Sequence, residues 1–171
     1  MSCKRIIIVG KGGSGKDHLR KEMVSNGYRY CVSHTSRPIR QGEIEGEDYY
    51  FVDEAYFQPD DFYEMVTFNG WFYGTSLKEF KSSDLFIMTP SGLSKMLPQD
   101  REQSYVIYID IDEDTRRERL SHRRDADDVE RRLKADESDF QNFYDFDHKI
   151  TDPNFRFEAE WIDLEKIKIN G

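Results

Sequence analysis

Gly10-Lys11-Gly12-Gly13-Ser14-Gly15-Lys16 has the spacing GxxxxGK, between a β-branched run at residues 5–9 (RIIIV) and the helically spaced Leu19, Met23 and Val24. Glycines at this spacing let successive backbone N–H groups curl around a polyphosphate. The helix N-terminus adds partial positive charge, and the Lys16 ammonium can reach the β and γ phosphates. The predicted strand, loop and helix in that order set the run apart from a glycine-rich turn that binds nothing. Residues 10–17 are therefore the candidate ATP-binding loop. Asp17 stands where such loops normally carry a Ser or Thr whose hydroxyl ligates magnesium. A carboxylate beside a triphosphate is repulsive unless a cation lies between them. Asp17 is thus either a favourable acid in the first helical turn or a magnesium ligand, direct or through water.

A second candidate phosphate site lies in SHTSRPIRQGEIEGEDYYF, residues 33–51. Arg37 and Arg40 are three residues apart, and Tyr49 follows a glycine-punctuated turn. Two guanidinium forks and a phenol can hold one phosphate monoester. With WFYGTS at residues 71–76, this run resembles the nucleotide-binding part of guanylate kinases, where the matching pattern is close to SHTTRxxRxGExxGxDYxF followed by an acid and a YGTS-like segment. The resemblance extends over residues 5 to about 152. It implies that Arg37, Arg40, Tyr49 and Tyr73 hold a nucleoside monophosphate by its phosphate, and that Ser33, Glu64 and Thr75 read the base. A carboxylate at position 64 suits guanine, whose N1 and N2 protons it can accept, and not adenine, whose N1 is itself an acceptor.

The segment from Arg116 to Lys134 holds eight basic residues against five acids, on its own an ion-pair-laced helix face. Arg119-Leu120-Ser121-His122-Arg123 resembles the start of the guanylate kinase lid, however, and Arg132-Leu133 its end. The resemblance implies that Arg123 and Arg132, with Lys16, stabilise charge on the transferring phosphoryl group and that Arg119 stacks on the ATP adenine. The intervening run is about two residues short of the family pattern, which leaves Arg123 and Arg124 as alternatives. Where the family carries an Asp-x-Asp pair at the tip of the third strand, this chain has Ile87-Met88-Thr89-Pro90. The loss of both acids, set beside Asp17, suggests that the magnesium-facing carboxylate has moved. Similar SGKD loops occur in some phage deoxynucleoside monophosphate kinases and in some phosphomevalonate kinases.

The elements that must position these residues follow from pattern. Strands are expected at residues 5–9, 28–33, 85–88, 105–111 and 148–151, and helices at 16–26, 91–96, 113–122 and 127–143. Residues 34–53, broken by Pro38, Gly42 and Gly46, read as a loop. Asp53 is expected to cap a short helix, 60–66 to add a further turn or two, and Asn69-Gly70 to close a hairpin. The expected fold is an α/β P-loop kinase with a five-stranded parallel core sheet flanked by helices. A small mixed insertion would bind the monophosphate, and a short helical lid would cover the site. One domain spans 1–171, with its core at 1–32 and 82–171, the monophosphate-binding part at 33–81 and the lid at 119–132.

Among 171 residues the formal net charge is -9, which argues against a general nucleic-acid binder. Cys3 and Cys31 form no CxxC pair and are expected as reduced thiols. The apolar run Ile6–Val9 is far short of the roughly 18 residues of a membrane helix. The expectation is a cytoplasmic chain that binds small-molecule nucleotides, with no nucleic-acid or membrane partner. His34 matches the family loop, His18, His122 and His148 read as surface or helix residues, and no general base is assigned. The implied function is ATP- and Mg2+-dependent phosphorylation of GMP or dGMP. The alternatives are a kinase for another or modified deoxynucleoside monophosphate, and a non-catalytic guanylate-kinase-like module that binds a phosphopeptide.

Overall fold

Ile6 and Ile8 pack into one apolar cluster and Ile7 and Val9 into a second, so the first strand, β1 (Arg5–Gly10), is buried on both faces. An uninterrupted β-branched run suits that environment, because neither face of a central parallel strand meets water. The computed structural model describes residues 4–68, 70–122 and 129–158. After β1 come α1 (Lys16–Ser25), β2 (His34–Thr35), β3 (Tyr50–Phe51), β4 (Phe62–Phe68), β5 (Trp71–Ser76), α2 (Leu77–Ser82) and β6 (Leu85–Ile87). They are followed by α3 (Pro90–Ser94), α4 (Pro98–Glu102), β7 (Ser104–Ile109), α5 (Glu113–Ser121), α6 (Val129–Asp139) and β8 (His148–Ile150).

The core sheet has the order β6-β1-β7-β8, with all pairs parallel. α1 lays Leu19 and Met23 on one face, where Phe155 also packs, while Phe80 of α2 and Leu93 of α3 cover the other. The described sheet therefore has four strands and not the expected five. Residues 28–33 reach only a single bridge, Tyr30 beside Leu85, with Cys31 N–H donating to Leu85 O at 2.8 Å. Two features prevent a longer ladder. The Asp84 carboxylate takes the Arg29 N–H at 2.6 Å, and beyond Cys31 the chain turns away, where Ser33 O accepts from Tyr50 N–H at 2.9 Å.

The second sheet is mixed, with the order β3-β2-β5-β4. Its strands β2 and β3 are two residues each, inside the stretch that reads as a loop. Residues 60–66 depart further from expectation. Pro59–Asp61 is one 3-10 turn, and Phe62 onward is strand, held by a ladder that runs from Phe62↔Ser76 to Phe68↔Trp71. The period is two because β5 supplies a partner that local sequence does not reveal. Gly70 adopts φ 78, as the hairpin signal requires, while Asn69 lies outside the described residues. Asp53 precedes a 3-10 turn, Glu54–Tyr56, without a side-chain cap bond. The short helices α2 and α4 are additional to the expected elements, although Ser76 caps α2 by accepting Glu79 N–H at 3.2 Å and Pro98 opens α4.

Candidate active site

The glycine loop is shaped by close backbone approach. A Cβ at Gly10 would lie 2.6 Å from Ser14 Oγ and 3.1 Å from Ile109 O, and Gly13, at φ 76, would place one 2.9 Å from Arg116 O. Neither position accepts a side chain without moving its neighbours. The loop feeds α1, whose N-cap is Gly15 in the left-handed region at φ 100. Lys16 Nζ folds back over the loop and donates to Gly10 O at 2.6 Å and Lys11 O at 3.1 Å.

A cleft of about 1300 Å³ runs from this loop to the second sheet. Gly10, Gly12, Gly13, Ser14, Gly15, Lys16 and Asp17 line it, as do Ser33, Arg37, Arg40, Tyr49, Glu64, Tyr73, Arg119 and Arg132. Two candidate residues stand behind its wall. The Lys11 ammonium lies over the Phe140 ring at 5.8 Å, and Thr75 is buried and donates its hydroxyl to Glu64 Oε1 at 3.0 Å. Arg123 lies outside the described residues.

Arg37, only 7 % exposed, anchors the second-sheet end. Its two terminal nitrogens grip Glu43 at 2.7 and 3.0 Å, and Nη1 also donates to Pro38 O at 2.9 Å. The same carboxylate accepts the Arg40 backbone N–H at 2.8 Å, so one acid holds the Arg37 side chain and the Arg40 backbone. The Arg37 guanidinium lies 5.5 Å from the Tyr49 ring centroid, and Tyr49 meets Tyr73 edge-on at 6.0 Å. Burial, with Tyr73 beside it, pushes the Tyr49 phenol up to about 12, which keeps it a hydrogen-bond donor at neutral pH. Arg37, Arg40, Tyr49 and Tyr73 thus line the same cleft, and guanidinium and phenol donors of this kind can bind a phosphate monoester.

Glu64 sits on β4 opposite Thr75 of β5. Burial raises its carboxyl above the usual range, an effect that the Thr75 hydroxyl partly opposes. Thr89, at the position where the family pattern has an acid, spends its hydroxyl on capping α3, accepting Gly92 N–H at 3.0 Å.

Towards the lid segment, Arg119 of α5 donates to Gly13 O at 3.1 Å and Pro153 O at 2.6 Å. Both bonds lie in the guanidinium plane and do not use its stacking faces. Asp17 is exposed over 67 % of its side chain and pairs with Arg20 Nε at 3.5 Å. Among the described residues no group of three or more His, Cys, Asp or Glu could hold a metal ion. Asp17 lines the cleft one residue beyond Lys16, and a single exposed carboxylate there would suit a magnesium ion that keeps phosphate oxygens and water as its other ligands.

Three further residues enter the site. Glu43 had a signal, as the acid of the Arg-x-Gly-Glu run. Arg20 and Asp136 had none, since their partners are distant in sequence: Asp136 Oδ2 accepts Gly12 N–H at 2.9 Å and lies 3.9 Å from the buried Arg116.

A glycine loop on a parallel sheet, with Arg37 and Arg40 lining the same cleft, is the arrangement of a P-loop phosphotransferase. The sequence model described as Guanylate kinase matches residues 2–167. A guanylate kinase from Legionella pneumophila (strain Paris) is 35% identical over 95% of this chain and 84% of its own. One from Sulfurimonas denitrificans is 27% identical over 96% and 89%. The crystal structure of guanylate kinase from Anaplasma phagocytophilum shares the fold, with a TM-score of 0.64 at 24% identity over 89% of this chain and 78% of that one. The chain belongs to the guanylate kinase family, a family of nucleoside monophosphate kinases.

Proposed function

We propose that the protein transfers the γ-phosphoryl group of ATP to GMP or dGMP, with Mg2+ held between the donor phosphates and Asp17. The observation that carries this reading is the cleft itself, with the glycine loop at one end, the Arg37–Tyr49–Tyr73 group facing it and the Glu64–Thr75 pair on the same sheet. In this reading residues 33–81 bind the acceptor, residues 1–32 and 82–171 form the donor-binding core, and 119–132 form the lid. Residues 10–17 hold the triphosphate, and Arg119 holds the adenine. Arg37, Arg40, Tyr49 and Tyr73 hold the acceptor phosphate, and Ser33, Glu64 and Thr75 read the base. Lys16, released from its two loop carbonyls, would neutralise developing charge with Arg123 and Arg132. Phosphoryl transfer needs that positioning more than it needs a side-chain base.

A second reading, a kinase for another or modified deoxynucleoside monophosphate, is favoured by Ile87 and Thr89 lining the cleft where the family pattern has acids. A panel of nucleoside monophosphates, each with Mg2+ and ATP in a coupled ADP-release assay, separates the two. Preference for GMP or dGMP is expected. A dominant pyrimidine acceptor would favour the second reading, and no turnover with any acceptor would favour a binding module.

A further inference from the structure

Arg20 is a cation without a role in the reading above. It projects from α1 one turn after the glycine loop, its side chain is only 9% exposed, and it lines the cleft. Its guanidinium carbon lies over the Tyr30 ring at 4.7 Å from the centroid, a cation–π contact that helps to hold it in place. From there it contacts Asp17 beside the glycine loop and residues 47–48 beside Tyr49. Nη1 donates to Glu47 O at 3.1 Å and Nη2 to Asp48 Oδ1 at 3.4 Å, on the loop that leads directly into Tyr49. Nε faces Asp17 Oδ1 at 3.5 Å and makes no hydrogen bond.

One cation therefore stands between two carboxylates, and both ion pairs are longer than the 2.7–2.9 Å of a well-made charge-assisted bond. We propose that Arg20 couples the two substrate sites: when Asp17 turns to the cation carried by the donor nucleotide, Arg20 closes on Asp48 and draws the 47–49 loop, with Tyr49, towards the acceptor phosphate. This inference rests on the reading of Asp17 as the donor-metal carboxylate. Arg20 is a positioning residue here, acting through Asp48 and Tyr49. Linkage makes the effect reciprocal, so donor and acceptor strengthen each other's binding by the same factor.

The test is a set of binding measurements without turnover. The GMP dissociation constant is titrated calorimetrically alone, with a non-hydrolysable imido analogue of ATP, and with that analogue plus Mg2+. The wild type should bind GMP about fivefold or more tighter with the magnesium–analogue complex, the lower end of typical couplings, and gain little from the metal-free analogue. Asp48→Asn and Arg20→Gln should each bring that factor close to one. Asp17→Asn should tighten GMP binding with no donor present, because Arg20 then already belongs to Asp48, and should show no further gain. A merely structural role for Arg20 does not produce that signature. Asp48→Asn keeps the Tyr30 stack and the Glu47 bond, so it decides the matter if Arg20→Gln does not fold.

A wild-type coupling factor in folded Asp48→Asn overturns the proposal. Mn2+ titration of the analogue complex, read by electron paramagnetic resonance, tests the underlying reading separately. If Asp17→Asn leaves Mn2+ affinity unchanged, the metal assignment falls and the coupling with it. If Mn2+ affinity drops and the coupling survives in Asp48→Asn, only the Arg20 inference falls.

Discussion

Replacing Arg37 by alanine separates the two things this side chain does. The guanidinium is the counter-ion of Glu43, at 2.7 and 3.0 Å, and in the proposed function it also donates to the acceptor phosphate. The side chains of the pair are only 8% and 21% exposed, so Arg37→Ala strands a largely desolvated carboxylate. Breaking a buried pair costs about 3–5 kcal/mol. Glu43 keeps its bond from Arg40 N–H at 2.8 Å and part of its hydration, so the loss should fall near the bottom of that range. Adding Glu43→Gln removes the stranded charge and should restore about 1–2 kcal/mol, read as a shift in urea midpoint at constant slope. Acceptor binding should not return with stability. One charge-assisted bond of about 1.5–3 kcal/mol corresponds to a GMP dissociation constant about 10- to 150-fold weaker, in the single and the double variant alike. ATP affinity should be unchanged in both. If Arg37→Ala with Glu43→Gln binds GMP as the wild type does, Arg37 is only a counter-ion and the phosphate site is wrongly placed.

The same pair has a pH signature. Burial alone would raise the Glu43 carboxyl, but the hydrogen bonds from Arg37 and from Arg40 N–H outweigh it and hold the group below the usual carboxylate range. A depressed folded-state value contributes stability above the unfolded-state value, and that contribution is lost as pH falls through the folded one. Arg37→Ala should flatten this acid limb, which urea midpoints across the acid range will show.

Lys16→Ala should lower turnover by about two orders of magnitude or more while the melting temperature moves little, since the hydrogen bonds to Gly10 O and Lys11 O tie Lys16 to its own loop; a folded variant with wild-type turnover would refute its catalytic role. Glu64→Gln should erode the preference for GMP over other monophosphates, because the amide cannot accept from N1–H and N2–H together. With its carboxyl raised by burial, wild-type GMP affinity should begin to fall on acidification earlier than for an ordinary carboxylate, and the Gln variant should lack that dependence in titrations. Gly74→Ala would set a Cβ 2.7 Å from Phe62 Cδ1 and 3.0 Å from Glu64 O. We expect a loss of about 1–3 kcal/mol and weaker GMP binding from the shifted β4 ladder, checked by denaturation and titration.

Local chemistry alone determined the donor half of this protein. A β-branched run, glycines at GxxxxGK spacing and an amphipathic helix each state their conformation within a few residues, so β1, the loop and α1 were legible without tertiary contacts. Gly70 likewise announced the hairpin. Only the folded chain could decide what pairs with what. Residues 60–66 form a strand because β5 offers a ladder, residues 28–33 stop at one bridge because Asp84 and the turn at Ser33 end the pairing, and Asp17 faces Arg20. The contacts of Arg20 with residues 47–48 and of Asp136 with Gly12 join residues 27 to 124 positions apart, beyond any periodic signal. Hydrophobic period and turn chemistry report a residue's conformation and its inward or outward face. The partner of a buried charge is set by the packing of whole sheets, and that information is spread along the chain.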